Sequence, residues 1–378
     1  MSIKPAGVAL WLRRTALPHS LTELSGVDLG LRAAPVRVRR EGPTEPRELY
    51  ASLPDKSTGY GYLRDVQGQV LTAWHARRTE RDLVVKVNTG GGKTIDGLVM
   101  LQSYLNDGKG PALYVAPSRY LVEQVRDEAE RLGIPTVHDP DHRRYLAGEA
   151  IAVVTADKLL NGKSVFSDKR PTRAPAPIGC VVIDDAHAAL AITREDLSLE
   201  LPRDPPAFGA LLDLFKKDLR QQAPNALLDV QEKSHGALVR VPFWAWRARV
   251  EQVRGLLHEH RDAPPLLYPW PAVSEVLHLC RTVFTANAVT ITPPCPPIRH
   301  VTRFAEAQHR LYLTATLADD SVLVTDFAAD PTSVTRPISP ATAGDLGERM
   351  ILAPQEVNPG LSLPETRGAI AALAEKHN

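Results

Sequence analysis

At 378 residues the chain is too long for one average domain and too short for three, which leaves two domains or one domain carrying a large insertion. Apolar residues at 43% and charged residues at 24% are ordinary globular shares and exclude a disordered, collagenous or coiled-coil chain. The formal net charge of +1 means that any nucleic-acid partner has to be held by a local patch, and 32 prolines, above the usual share of about 5%, predict numerous stiff loops.

Residues 1 to 55 mix short apolar runs, prolines and the basic stretch Arg37 to Arg40 without a sustained period, and read as an N-terminal extension. The apolar run Ala6 to Leu12 is short and no clear small-residue cleavage site follows, so it does not read as a signal peptide. From Tyr60 onward strands and helices alternate. Leu83 to Val87 is an apolar strand, and Thr94 to Leu105 carries Ile95, Leu98, Val99 and Leu105 at helical spacing. The unit recurs as a strand at Ala112 to Val115 with a helix from Tyr120 to Leu132, then as strands at Ile151 to Thr155 and Cys180 to Ile183. Strands without alternation, separated by helices, predict an α/β fold with a mostly parallel sheet covered on both faces.

After Leu190 that rhythm is lost, through a proline-containing segment with Phe243-Trp244-Ala245-Trp246 and a helix expected from Ala272 to Phe284. Residues 191 to 307 therefore read as a largely helical inserted subdomain. A strand at Arg310 to Leu313 restores the sheet pattern, so residues 56 to 190 and 308 to 330 form one domain, followed by a strand at Met350 to Leu352 and a helix from Pro364 to the end. Cys180, Cys280 and Cys295 show no CxxC spacing and fit neither a disulfide framework nor a tetrahedral metal site, which suits the reducing cytoplasm. No apolar stretch reaches the roughly 18 residues of a membrane span.

The strongest chemical signal is Thr89-Gly90-Gly91-Gly92-Lys93-Thr94 between a strand and a helix. Successive glycines let backbone N–H groups converge on one point, the helix N-terminus adds positive potential, Lys93 reaches outer phosphates and Thr94 offers a hydroxyl to Mg²⁺. The strict P-loop pattern wants a first glycine where Val87 stands. Such a site also needs a carboxylate at the end of a nearby buried strand, and Val181-Val182-Ile183-Asp184-Asp185-Ala186-His187 supplies two. Asp184 is expected to face the metal and Asp185 the attacking water. His187 stands between a capping or core role and one that couples the site to the rest of the domain.

These residues resemble the first motor domain of superfamily 2 helicases of the DEAD/DEAH-box kind. Val87 to Thr94 resembles motif I, AxTGxGKT, departing at Val87, and Asp184 to His187 resembles motif II, DExH, with Asp185 where the family has glutamate. Thr314-Ala315-Thr316 resembles the S/T-A-T of motif III, and Leu63-Arg64-Asp65-Val66-Gln67 resembles the LRxxQ segment whose glutamine reads adenine. Ala116-Pro117-Ser118-Arg119 with Leu121 and Gln124 resembles motif Ia, and Val154 to Leu160 the next strand-end contact with nucleic acid. The resemblance implies a RecA-like P-loop NTPase domain with ATP and Mg²⁺ as cofactors, hydrolysed through Lys93, Asp184 and Asp185. Thr94 and Asp184 would be the metal ligands, and Gln67, Thr89, Gly90, Gly91 and Gly92 would complete the nucleotide site. His187, Thr314, Ala315 and Thr316 would couple hydrolysis to movement, and Pro117, Ser118, Arg119 and Thr155 would contact nucleic-acid phosphates. Ordinary helix capping is the other role open to Ser118 and Thr155.

Phe243, Trp244, Trp246, Arg247 and Arg249 suit either core packing or the stacking of unpaired bases. Lys216, Lys217 and Arg220 read as a solvated helix face. Three cysteines are one short of the four thiolates that an iron–sulfur helicase requires. After Thr316 the arginines are Arg336, Arg349 and Arg367, with no QxxGRxxR string. The second motor domain that the resemblance calls for, normally the source of transition-state arginines, is thus expected elsewhere, in a longer chain or in trans. Residues 331 to 378 would be a linker and the opening of that domain, in a partial open reading frame. The expected function is an ATP-dependent nucleic-acid translocase or helicase, leaning toward DNA over RNA because of the large insertion between motifs II and III, with no membrane partner. A nucleotide-gated binding module without turnover, and an unrelated P-loop enzyme such as a small-molecule kinase, remain as alternatives.

Overall fold

The apolar strands pair side by side in a single parallel sheet. The computed structural model describes residues 42–54, 56–57, 59–88, 90–169, 173–204, 206–315, 319–341 and 353–377. The six strands are β1 (Asp82–Lys86), β2 (Ala112–Ala116), β3 (Thr136–Val137), β4 (Ile151–Thr155), β5 (Cys180–Ile183) and, after the insertion, β10 (His309–Thr314). Their order is β1-β10-β5-β2-β4-β3, with every pairing parallel. The short β3, which no apolar run announces, is the edge strand beside β4.

Successive side chains of a strand point to opposite faces, so each strand feeds two cores. Leu83, Val85, Tyr114, Val182, Leu311 and Leu313 pack under the helices Asp65–Arg77, Lys93–Asn106 and Arg119–Arg131. Val84, Leu113, Val115, Val181, Ile183 and Tyr312 pack on the other face, with the helices Ala186–Asp196 and Ser321–Asp326. Burial on both faces is why these strands carry unbroken apolar runs, each fully buried Leu or Val contributing about 1.5–3 kcal/mol. A short helix, Pro46–Ser52, adds Leu49 and Tyr50 to the first core, and the preceding chain is tied to the helix Lys93–Asn106 where Ser103 Oγ donates to the Thr44 carbonyl at 2.6 Å.

The insertion differs from its expected form. It is still richer in helix than in strand, through Pro206–Gln222, Pro224–Gln231 and Phe243–Glu259. It also contains a four-stranded antiparallel sheet, in the order β6-β9-β8-β7, made of β6 (Leu199–Pro202), β7 (Leu238–Arg240), β8 (Arg281–Thr285) and β9 (Ala288–Thr292). The helix expected over Ala272 to Phe284 is not formed: a helical turn at Trp270–Val273 and a 3-10 turn at Leu277–Leu279 lead into β8 instead. Thr282 and Phe284 alternate inward against more exposed Arg281, Val283 and Thr285, a period of two that the residue types conceal because a threonine faces inward and a valine outward. Of the C-terminal elements, the helix Leu363–His377 is present, whereas the strand expected at Met350 to Leu352 lies outside the described residues, as does most of the N-terminal extension.

Asp196 closes the helix Ala186–Asp196 with a carboxylate at its negative end. One of its oxygens is buried without a partner, and burial, with Asp157 and Glu195 nearby, pushes its carboxyl up to about 6. The folded protein therefore holds this proton more tightly than the unfolded chain, whose carboxyl titrates near 3.9, and stability falls as pH rises from about 4 to about 6. Asp196→Asn is expected to stabilise the protein by about 1 kcal/mol above pH 6, after allowance for solvent screening, and to be neutral below pH 4. Thermal melts of both proteins across that range check this, and an equal difference at every pH would contradict it.

Candidate nucleotide site

Parallel strands end on one edge, and the sheet order decides which loops meet there. The register aligns Lys86 with Thr314, Tyr312 with Ile183, Val115 with Ile183, and Ala116 with Thr155. The glycine loop, Thr314, Asp184, the Pro117–Arg119 loop and Thr155 therefore follow one another along the same edge. A cleft of about 730 Å³ opens there, lined among others by Gln67, Gly90, Gly92, Lys93, Thr94, Asp184 and Asp185. Tyr120 and Gln124, on the helix that begins at Arg119, line it as well, and Tyr120 is 72% exposed. No pattern in the chain singles out Tyr120, because an aromatic residue in a helical first turn looks like any other.

Gly90 and Gly92 adopt φ of 85° and 88°, the left-handed region that turns the backbone sharply ahead of the helix Lys93–Asn106. A Cβ on Gly92 would also sit 2.4 Å from Gln67 Nε2. Gln67 is only 2% exposed; its Nε2 donates to the Gly92 carbonyl at 3.3 Å, and its Oε1 accepts from the Arg64 N–H at 3.0 Å. Arg64 in turn donates to the Gly90 carbonyl at 3.2 Å. The segment from Arg64 to Gln67 thus clamps the glycine loop from outside.

Asp184 follows β5 with one donor on each carboxylate oxygen: the Tyr114 hydroxyl at 2.9 Å on Oδ2 and the Asp185 N–H at 2.9 Å on Oδ1. Burial raises its carboxyl above the usual range, against the pull of the Tyr114 bond and the Lys93 charge. The oxygen donors Thr94 and Asp184 beside Lys93 are the set a hard divalent cation bound to a phosphate chain would use, so the residues present fit Mg²⁺ and a nucleotide. Asp185 has φ of 41° and is exposed, and its carboxylate accepts from the Ala188 N–H at 3.5 Å as the cap of the helix Ala186–Asp196.

His187 is joined to a residue that the motifs do not include. Its Nε2 lies 3.0 Å from Asp320 Oδ1, while Lys86 Nζ, at the end of β1, lies 2.9 Å from Asp320 Oδ2. Asp320 is buried. One carboxylate therefore ties together the strand before the glycine loop, the helix after Asp184 and the segment after Thr314. Thr314 is itself fully buried, its hydroxyl without a partner and its carbonyl accepting from the Val87 N–H at 3.2 Å. Ala315 follows it at the strand end, whereas Thr89 and Thr316 lie outside the described residues.

Ser118 is exposed and caps the helix Arg119–Arg131 through Leu121 N–H at 3.3 Å; Arg119 is exposed and Pro117 is buried. Thr155 precedes a helical turn without a side-chain capping bond. In the insertion the aromatic cluster divides. Trp246 is core, stacked on Phe215 at 5.7 Å and donating to the Leu277 carbonyl at 2.8 Å, while Phe243 and Trp244 are 54% and 59% exposed.

Residues 64–204 match the family model of the DEAD/DEAH box helicase. Among solved structures, S. tokodaii Xpd4 is similar at 14% identity over 67% of this chain and 59% of that one, with a TM-score of 0.39. An apo XPD structure is similar at 13% identity over 66% of this chain and 52% of that one, with a TM-score of 0.38. The matched part thus spans less than two thirds of either structure. No curated protein matches the chain. The match to the DEAD/DEAH box helicase domain thus falls on the residues whose motifs imply it, within the parallel α/β fold.

Gly92→Ala forces a side chain into the left-handed region, at about 1–2 kcal/mol, and drives it against a glutamine that is itself tied down. Equilibrium binding of a fluorescent adenine nucleotide is expected to weaken at least tenfold, and wild-type affinity would refute the clamp. Asp320→Asn removes the charge shared by Lys86 and His187 and is expected to cost about 1–3 kcal/mol, below the range for fully buried pairs because both partners keep some exposure. Urea unfolding measures this, and an unchanged midpoint would show the triad to be idle.

Proposed function

We propose that this chain is the motor half of an ATP-dependent nucleic-acid helicase or translocase. The observation that carries the reading is the shared sheet edge, on which the glycine loop with Lys93 and Thr94 faces the half-buried carboxylate of Asp184 across one cleft. Residues 56–190 with 308–330 would be the first RecA-like domain, 191–307 its insertion and 331–378 the link to a second RecA-like domain, in a longer chain or in trans.

Backbone N–H groups of Gly90, Gly91 and Gly92, with Thr89, would cradle the phosphates at the positive end of the helix Lys93–Asn106. Lys93 would neutralise the outer phosphates, and Thr94 and Asp184 would hold Mg²⁺. Mg²⁺ held by Thr94 and Asp184 would supply neutralisation of the phosphate charge. Asp185 would orient the attacking water, exchanging its weak bond to Ala188 for that water. Gln67 would select adenine with the amide N–H that its bond to Gly92 leaves over. Arginines of the second domain would stabilise the transition state.

His187, Thr314, Ala315 and Thr316 would pass the state of the phosphates to the rest of the domain. The contact of His187 with Asp320, and of Val87 with Thr314, supports that role. Pro117, Ser118, Arg119 and Thr155, side by side at the ends of β2 and β4, would grip phosphates of nucleic acid without reading sequence. DNA is favoured over RNA. The three cysteines are free, which suits a cytoplasmic setting, and among the described residues no helix is long and apolar enough to cross a membrane.

The engagement of Asp185 as a helix cap favours a second reading, a nucleotide-gated binding module that holds ATP and nucleic acid without turnover. Lys93→Ala is expected to abolish ATP binding, and retained binding would sink the nucleotide-site assignment. ATP turnover with and without single-stranded DNA or RNA tests the second reading: stimulated hydrolysis excludes the module, whereas binding without turnover fits both the module and a motor half awaiting its partner.

A further inference from the structure

Tyr114 lies in the middle of β2, where the strand pattern calls for an aliphatic residue, and no motif includes it. Its ring is fully buried beneath the helix Lys93–Asn106. That helix approaches closely because its residue 97 is glycine: a Cβ there would stand 2.9 Å from Tyr114 Cε2. The phenol emerges at the sheet edge and donates to Asp184 Oδ2 at 2.9 Å. A tyrosine hydroxyl thus holds one of the two side chains assigned to the metal. A phenol keeps its proton at neutral pH and is therefore the donor in this bond.

Two consequences follow from this placement. The Asp184 carboxylate is held from both sides, by Tyr114 on one oxygen and by the Asp185 N–H on the other, so its plane cannot rotate freely and the remaining lone pairs keep one direction. The group that holds it also belongs to the strand that runs directly into the Pro117–Arg119 loop, with Tyr114 paired to Val182 of β5 on one side and Val153 of β4 on the other. We propose that Tyr114 is a positioning residue of the nucleotide site, its hydroxyl setting the Asp184 carboxylate as a pre-oriented ligand for the nucleotide-bound Mg²⁺. The proposal rests on the reading of Asp184 as that ligand. Partners that orient metal ligands in this way typically carry 10- to 100-fold in metal affinity, about tenfold being expected for one bond.

The test is binding of a fluorescent adenine nucleotide to the full chain, first in EDTA and then as Mg²⁺ is titrated, with Mn²⁺ binding followed by electron paramagnetic resonance as a second measurement. Tyr114→Phe removes only the hydroxyl, and Tyr114→Met fills the space without a donor should the first variant not fold. Both are expected to leave metal-free nucleotide affinity unchanged and to raise the Mg²⁺ and Mn²⁺ concentrations for half-saturation about tenfold. Unchanged metal midpoints would overturn the proposal. So would a parallel loss of metal-free and metal-dependent binding, which would make Tyr114 a packing residue only. Wild-type protein that binds nucleotide without any response to Mg²⁺ would instead remove the reading of Asp184 on which the proposal stands, and the proposal with it.

Discussion

The site depends on β10 lying between β1 and β5. That strand enters the sheet more than 120 residues after its neighbour β5, yet it separates the strand of the glycine loop from the strand of Asp184 and sets the distance between them. Its register is held at the far end by a buried ion pair in which Arg310 meets both oxygens of Asp82, at 2.6 and 2.7 Å. The same guanidinium donates to the carbonyls of Phe327 and Ala328, and the Asp330 N–H donates to Asp82 Oδ2, so few groups in this buried cluster lack a partner. A buried pair so completely bonded adds little net stability over an apolar replacement, but breaking it costs about 3–5 kcal/mol. Its worth is registry: a slip of one residue would turn Leu311 and Leu313 to the opposite face and move Thr314 away from Lys86.

At the functional edge two carboxylates do for the loops what Asp82 does for the strands. Asp184 is held by Tyr114 from β2, and Asp320 holds Lys86 from β1 and His187 from the helix after β5. Each joins elements distant in sequence through short polar contacts in a region of low dielectric, where such bonds are strong and an unpaired member is costly. A displacement of the Asp320 segment is therefore felt at the root of the glycine loop and at His187 together. Fixed polar links of this kind give a domain a small number of discrete arrangements in place of continuous flexing.

The insertion keeps its own core, with Phe208, Phe215, Trp246 and Phe284 at its centre. It interrupts the chain between β5 and β10 without disturbing the sheet, because both of those strands are anchored by neighbours on each side.

Much of this was legible beforehand. The strands around Asp82–Lys86, Ala112–Ala116, Ile151–Thr155 and Cys180–Ile183 announce themselves as unbroken apolar runs, and the glycines before Lys93 carry their chemistry in their order, since only glycine readily takes the positive φ of Gly90 and Gly92. Local composition and backbone sterics are properties of neighbouring residues, so the sequence by itself determined the parallel α/β class and the glycine loop. It did not reveal the antiparallel sheet of the insertion, whose Arg281–Thr285 strand turns a threonine inward and a valine outward and so masks its period-two alternation. Nor did it reveal Tyr114, Asp320 or the pair of Arg310 with Asp82, because their partners lie 70, 133 and 228 positions away along the chain. Such contacts are made by strand order, and only the tertiary structure decides which carboxylate a buried donor meets.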